Sequence, residues 1–393
     1  MKPRNTFIGA GALAVALSLA LPLSSQVQDG ILPVDAPAPA AGTLGGPIPG
    51  LSETDLARWQ RGRQLFDHDF HRSDGLGLPE MNADSCRACH QQGAIGGGGG
   101  LDLNVSRFAR DHAGAGPYED LVGGQGLSKL RPPFAAGREE YDAALADVFE
   151  QRQTPALFGA GLIESIFTSE ILANADPADH DGDGIRGRPR RVLVAPGVFE
   201  VGRFGWKAQI SRLDDFLRDA MGNELGITTA ANGRLFAVTS DADGVADPEL
   251  SESDADDLLF YMANLAPPAR VGSQDLQVLN GELLFESVGC AKCHVPTLFG
   301  PRGPVNLYSD LLLHRIMPTG FRGMSEEGAG PGVYQTKPLW GIRHSAPYLH
   351  DGRAETLHEA IVMHDGEALL VRQAYEALPA LDQEALVAFL RDL

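Results

Sequence analysis

The four cysteines of this 393-residue chain sit in two runs, Cys86-Arg87-Ala88-Cys89-His90 and Cys290-Ala291-Lys292-Cys293-His294. Both read C-x-x-C-H. At this spacing two thiols reach the two vinyl groups of one porphyrin as thioethers, and the next histidine falls under the iron as an axial ligand. A zinc site built from the two C-x-x-C pairs would leave both following histidines unexplained. A redox-active C-x-x-C has no need of that histidine either. Two disulfides would be the ordinary expectation for four cysteines in an exported chain, but here both pairs are claimed and no cysteine is left over. The sequence therefore predicts two covalently bound haems c. Cys86, Cys89, Cys290 and Cys293 are the attachment points, and His90 and His294 are the iron ligands.

The elements that position these motifs read as an internal duplication. Gly62-Arg63-Gln64-Leu65-Phe66 precedes the first motif, and Gly281-Glu282-Leu283-Leu284-Phe285 precedes the second. Each belongs to a short amphipathic helix, with Leu56, Trp59 and Phe66 apolar in one and Leu279, Leu283 and Leu284 in the other. Each half closes with another helix. Leu258, Leu259, Met262 and Leu265 share a face within Ser253–Leu265, as do Leu386, Phe389, Leu390 and Leu393 within Asp382–Leu393. Acidic first turns suit both helix dipoles. A helix before the haem motif packed on a helix at the end of the half is a cytochrome c arrangement. Pro267-Pro268 marks a boundary near 268. The expected organisation is a first haem domain over 51–268 and a second over 269–393, mainly α. The first half is longer, which predicts a large loop-rich insertion between Gly100 and Leu250. Few segments alternate with period two, so strands should be minor.

Residues 1–25 read as a secretory signal peptide, with Lys2 and Arg4 ahead of the apolar run Phe7–Leu23. Residues 26–50, rich in Pro, Ala and Gly, read as a flexible linker. Export to the periplasm agrees with haem c attachment outside the bacterial cytoplasm. Lys and Arg number 32 against 52 Asp and Glu, a net charge of −20, which argues against nucleic acid or an anionic membrane as partner. At 43% hydrophobic residues the chain can bury a sizeable core. The Gly96–Gly100 run lets backbone pass close to a porphyrin, and it lacks the lysine of a phosphate-binding loop.

The run Thr336-Lys337-Pro338-Leu339-Trp340-Gly341, followed by Ala346-Pro347-Tyr348-Leu349-His350-Asp351-Gly352-Arg353, resembles the bacterial di-haem cytochrome c peroxidases. It resembles more closely their relatives, the di-haem oxidoreductase family once labelled thiol oxidoreductases. Pro155–Gly159, Asp181-Gly182-Asp183-Gly184, Gly202–Ala208 and Ser309–His314 fit that relative as well. The likeness runs from about 55 to 393.

The resemblance implies roles for particular residues. The second ligand of the C-terminal haem falls at His364, fourteen residues past His350, where peroxidases usually have Met. Met363, Met317 and Met324 are the alternatives. For the N-terminal haem, His112 is the nearby distal candidate and Met221 the next methionine. Trp206 falls between the haems, as an electron relay or a core aromatic. Peroxide cleavage needs one group to take and return a proton, and a single carboxylate can do both. The acids downstream of Trp206 are Asp214, Asp215 and Glu224, with Glu224 favoured. Leu213 has the expected spacing from Trp206, but Phe216 stands where the pattern has Gln. Backbone carbonyls of Thr336 and Pro338 correspond to an inter-haem calcium site, with Gln153 in place of Asn. Separately, Asp179, Asp181 and Asp183 begin like a calcium loop, although Arg190 at the twelfth position excludes an EF-hand. His314, His344, His350 and His358 carry no metal pattern of their own, and His350 is expected to support the haem environment by hydrogen bonding.

These features predict a periplasmic di-haem oxidoreductase of peroxidase type. Electrons would pass from a small cytochrome c or cupredoxin, through a C-terminal bis-His haem, to a reactive N-terminal haem that meets peroxide or another small oxidant. Two alternatives come with it: peroxide-dependent oxidation of a protein or metal substrate, and pure electron transfer. Homodimers occur among the relatives.

Overall fold

The computed structural model describes residues 37–77, 82–121, 144–235 and 239–393. The expected signal peptide and the first part of the expected linker lie outside them. The described chain is mainly helical, with four short two-stranded antiparallel sheets. In chain order the elements are α1 (Glu53–Asp67), α2 (Cys86–Cys89), β1 (Val105–Ala109), β2 (Val148–Arg152), α3 (Ala160–Ser165) and α4 (Thr168–Ala173). Then come β3 (Arg191–Ala195), β4 (Val198–Val201), α5 (Leu213–Ala220), a π-turn over Met221–Leu225, α6 (Glu252–Ala263) and α7 (Leu276–Val288). β5 (Leu298–Gly300), β6 (Gly303–Val305), β7 (Leu313–Arg315), β8 (Val333–Gln335), α8 (Leu357–Val362), α9 (Leu369–Glu376) and α10 (Ala380–Asp392) complete the chain.

Two helix pairs hold the haem motifs, and they are built alike. α1 crosses α6 at Gly62, where an added Cβ would lie 2.0 Å from the Asp257 carbonyl oxygen and 2.7 Å from the Tyr261 Cβ. α7 crosses α10 at Gly281, where it would lie 2.0 Å from the Ala385 carbonyl oxygen and 2.8 Å from the Phe389 Cβ. One turn past each glycine, a phenylalanine packs on the partner helix. Phe66 meets Tyr261 with ring centroids 5.1 Å apart, and Phe285 meets Phe389 at 5.3 Å. A glycine lets two helix backbones touch, and the aromatics interlock beside it. The apolar periodicity chose a different face in the second helix. Leu283 is 67% exposed, while α7 turns Gly281 and Phe285 inward.

Caps fix the ends of these helices. Ser52 and Ser251 accept the Asp55 and Asp254 amides, starting α1 and α6. α6 begins at Glu252, one residue earlier than its expected start, and α10 begins at Ala380, two residues earlier. The expected linker does not stay loose up to residue 50. Pro47 bridges Leu265, and Ile48 donates to the Asn264 carbonyl at 2.8 Å, so its last residues lie along the end of α6.

The long segment between Gly100 and Leu250 packs against the second half as well as the first. Ile163, Ile166 and Ile171 share a core with Leu298, Val305, Leu307, Leu311 and Leu312. Arg152 pairs with Glu150 at 2.8 Å and with Glu326 at 2.7 Å, and Arg107 reaches the same Glu326 at 2.7 Å, all nearly buried. Lys207 donates to the carbonyls of Gly330 and Val333 at 2.9 and 3.0 Å. These cross-links fix residues 144–208 on the 324–334 loop.

Alanine is the better helix former by about 0.5–1 kcal/mol, so on propensity alone Gly62→Ala and Gly281→Ala should stabilise. The crossing geometry reverses the sign: each should cost about 1–3 kcal/mol in denaturant unfolding of the haem-loaded protein. Equal or raised stability in both would contradict the close crossing.

Candidate functional site

Three histidines share one geometry. His90 Nδ1 lies 3.1 Å from the Gly97 carbonyl, His294 Nδ1 3.0 Å from the Tyr308 carbonyl, and His364 Nδ1 2.7 Å from the Ala360 carbonyl. A carbonyl can only accept, so each Nδ1 carries the proton and Nε2 is left with its lone pair, the form in which histidine binds a metal. Burial holds all three pKa values below the usual range, to about 4 for His90 and His294. The four cysteine thiols form no disulfide.

The local sequence explains these placements. α2 is a single turn whose C-cap is His90, with Arg87 turned inward onto the Asp67 carboxylate. The glycine run folds back over the motif, so that the Gln92 amide meets the Gly98 carbonyl at 2.9 Å. A side chain at Gly97 would put Cβ 1.9 Å from the Gln92 carbonyl oxygen. In the second half, Gly289 ends α7 with φ 102°, and a 3-10 turn over Cys290–Lys292 delivers Cys293 and His294. His364 follows the short α8, whose start is fixed by a capping box of Thr356 and Glu359.

A cavity of about 340 Å³ is walled by Cys290, Cys293, His294 and His364 together with apolar side chains such as Phe285, Leu339, Leu357 and Leu386. It is also lined by Trp206, Phe204, Leu213 and Phe216, and by Gln92 and Gly98 beside the first motif. No methionine is among its lining residues. Met363 is 37% exposed, while Met317 and Met324 are buried elsewhere, Met324 taking the Tyr118 hydroxyl at 3.5 Å.

These residues fit haem c. Two thiols and two imidazoles face one apolar cavity, and His350 supplies a further test. It is 2% exposed, lines the cavity, and neither ring nitrogen has a hydrogen-bond partner. A buried nitrogen left unsatisfied costs about 1–3 kcal/mol, so the site needs a polar group there, and a porphyrin carboxylate is one. His350 stacks on Tyr334 at 4.1 Å and meets Trp206 edge-on at 6.4 Å. The Trp206 indole donates to the Gln153 carbonyl at 2.8 Å.

The acids expected to move protons lie on α5 and the π-turn. This segment packs on the first motif, since Leu213, Leu217, Met221 and Leu225 share a core that Cys86 and Cys89 pack against. Both Glu224 oxygens accept amides, from Asn82 at 2.7 Å and Asn223 at 2.9 Å. Asp214 is tied to Arg218 at 3.0 Å, while burial and Asp214 raise the Asp215 carboxyl. Phe216 packs against Phe204. His112 Nε2, the nitrogen a haem iron would use, lies 3.0 Å from a Glu119 oxygen.

The calcium expectations meet competing partners. The Thr336 carbonyl takes the Ser309 hydroxyl at 2.6 Å, and the buried Lys337 amine next to it bonds the Gly205 carbonyl at 2.6 Å. Gln153 turns its side-chain amide to the Gly99 carbonyl. Asp179, Asp181 and Asp183 do gather within ligand distance of one another. Arg186 and Lys292 reach Asp179 at 3.4 Å and Asp183 at 2.9 Å, so protein cations already meet this loop. Lys292 sits inside the second haem motif, so the loop is docked there.

Sequence reasoning missed several groups that lie far apart along the chain. Glu150 accepts the Tyr334 hydroxyl at 2.9 Å in the buried ion cluster. His314 is sandwiched between Asp310 and Glu367. Glu249 accepts from Thr228, and burial pushes its carboxyl up to about 7. Only the i,i+4 spacing of Asp310 and His314 offered a local signal.

Residues 140–393, well over half of the chain and including the second motif, match the family described as "Di-haem oxidoreductase, putative peroxidase". No curated protein matches. Among solved structures the chain is similar to the hydrazine synthase of Kuenenia stuttgartiensis, at 17% identity over 100% of both chains with a TM-score of 0.42. It is also similar to a MauG-like protein associated with microbial copper homeostasis, at 16% identity over 91% of this chain and 94% of that one, TM-score 0.41.

His364→Ala should change the ferric absorption and EPR spectrum of one of the two haems, and Met363→Ala should change neither. An unaltered His364→Ala spectrum would remove this residue from the iron. The raised Glu249 carboxyl makes a separate prediction. The fold favours its protonated form, so that contribution is fully present below the ordinary value near 4.5 and lost as pH rises through about 7. Glu249→Gln should flatten stability against pH over that window in urea titrations. An unchanged slope would contradict the assignment.

Proposed function

Because the chain belongs to the di-haem oxidoreductase family, we propose that it is a periplasmic di-haem c-type oxidoreductase of peroxidase type. In this reading electrons enter at the C-terminal haem from a small cytochrome c or cupredoxin and pass to the N-terminal haem, which meets peroxide or another small oxidant. The observation that carries it is the pair His294 and His364, both half-buried, both fixed through Nδ1, on the wall of the cavity that holds Cys290 and Cys293. Two imidazoles suit an iron that only exchanges electrons, and a haem with an open sixth position supplies peroxide reduction.

The chain's own residues would divide the work. With haem bound, His294 and His364 would hold the C-terminal iron through rings fixed by backbone carbonyls. His90 would hold the N-terminal iron. No second ligand comparable to His364 is assigned there, since His112 turns its Nε2 to Glu119. Trp206 lines the cavity of the second motif, which reaches Gln92 and Gly98 beside the first, with its indole N–H anchored on Gln153. His350 offers a ring nitrogen to a polar edge of the cofactor. Glu224, oriented by Asn82 and Asn223, or the raised carboxyl of Asp215 would take and return the peroxide proton.

Among the described residues no helix is long and apolar enough to cross a membrane. The net charge of −20 favours a basic electron donor and an on-rate that falls with added salt. Peroxide turnover with a reduced donor tests the reading. Glu224→Gln should lower kcat about 10²–10⁴-fold if this carboxylate is the acid/base, with donor oxidation in the absence of peroxide unchanged. A full rate in both Glu224→Gln and Asp215→Asn would remove these acids from the chemistry. No peroxide turnover in the wild type would leave an electron carrier.

A further inference from the structure

His314, on β7, is 1% exposed and lies between two carboxylates. Its Nε2 is 2.8 Å from Asp310 Oδ2, and its Nδ1 is 3.0 Å from Glu367 Oε2. An ionised carboxylate only accepts, so a ring with a carboxylate on each nitrogen donates twice and is an imidazolium. The cluster brings together Cys293, Asp310 and His314, but the haem thioether claims the sulfur, and a ring protonated on both nitrogens has no lone pair for a metal.

Each arm of the clamp belongs to a segment that holds one proposed iron ligand. Asp310 stands in the loop under His294. Its amide donates to the Cys293 carbonyl at 2.9 Å, and two residues earlier the Tyr308 carbonyl fixes His294 Nδ1. Glu367 lies three residues past His364, and its other oxygen takes the Arg315 amide at 3.0 Å. The Asp365 amide donates to the Ile316 carbonyl at 3.0 Å. A Cβ on Gly366 would come within 2.3 Å of the Arg315 carbonyl oxygen. Residues 314–316 are therefore zipped to 365–367. Helix α8, which ends two residues before His364, is only six residues long and cannot fix its own position.

We propose that His314 is a positioning residue that joins the two sides of the C-terminal haem site, with Asp310 holding the His294 side and Glu367 holding the His364 side. The proposal rests on the reading of His294 and His364 as the axial pair. The clamp sets the reach between the two imidazoles and keeps the sixth position closed. Its charge is fixed by the two carboxylates.

The test uses the full haem-loaded protein and added imidazole, followed by optical titration and ferric EPR. His364→Ala is the reference for an opened site. His314→Phe removes both ion pairs at similar volume. Glu367→Gln keeps the shape of its side chain and serves if His314→Phe does not fold. Wild type should bind imidazole at one haem at most. His364→Ala should expose a second binding haem, and His314→Phe and Glu367→Gln should raise imidazole affinity at that same haem about tenfold or more, in proportion to the fraction of open sites. Their low-spin EPR signal from that haem should weaken or shift. If His364→Ala opens the site while both clamp variants keep the wild-type EPR signal and affinity, the clamp is overturned. If His364→Ala opens nothing, the axial pair itself fails. A fall in melting temperature without a change in ligand binding marks a merely structural role and also overturns the proposal.

Discussion

Half-buried imidazoles with one nitrogen committed to backbone set the terms for this molecule. His90, His294 and His364 are each held through Nδ1 by a carbonyl. The second nitrogen of each keeps its lone pair, the form in which histidine binds a metal. Covalent haem would supply that metal. It would also account for the apolar cavity, the four thiols outside any disulfide and the His350 ring nitrogens that no hydrogen bond meets. Much of the local architecture serves to hold those carbonyls still. The glycine run beside His90, the Tyr308–Asp310 loop under His294 and the short helix α8 ahead of His364 are three local solutions to one problem.

The scaffold around them repeats. A glycine at each crossing brings α1 onto α6 and α7 onto α10, and the aromatic one turn on completes each contact. The haem motif follows each crossing, so the same contact delivers both cofactor sites. Departures from the repeat concentrate in residues 100–250, which supply Trp206, α5 and the buried Glu150–Arg152–Glu326 cluster.

What could be read in the sequence follows from how local each signal is. C-x-x-C-H is a contiguous chemical statement, and the paired Gly-x-x-x-Phe runs announced the duplication. The starts of α6 and α10 were legible to within two residues because apolar periodicity and acidic first turns are local signals. The buried face of α7 was not legible, since apolar periodicity favours Leu283, whereas backbone contact selects Gly281. The ion clusters were out of reach for a different reason. Glu150 and Glu326, or His314 and Glu367, are charged residues far apart in the chain, and charge alone normally signals a solvated surface. His364 and the calcium carbonyls came from resemblance. The cavity wall now holds His364, while the Ser309 hydroxyl and the Lys337 amine occupy the surroundings of Thr336.

The proposed asymmetric pair of haems would have one site closed by two histidines and one open to peroxide. EPR and optical spectra of the haem-loaded protein, oxidised and half-reduced, before and after hydrogen peroxide, address it directly. The account predicts one low-spin bis-His signal that persists and one high-spin signal that peroxide converts. Two low-spin haems that ignore peroxide in both redox states would contradict it.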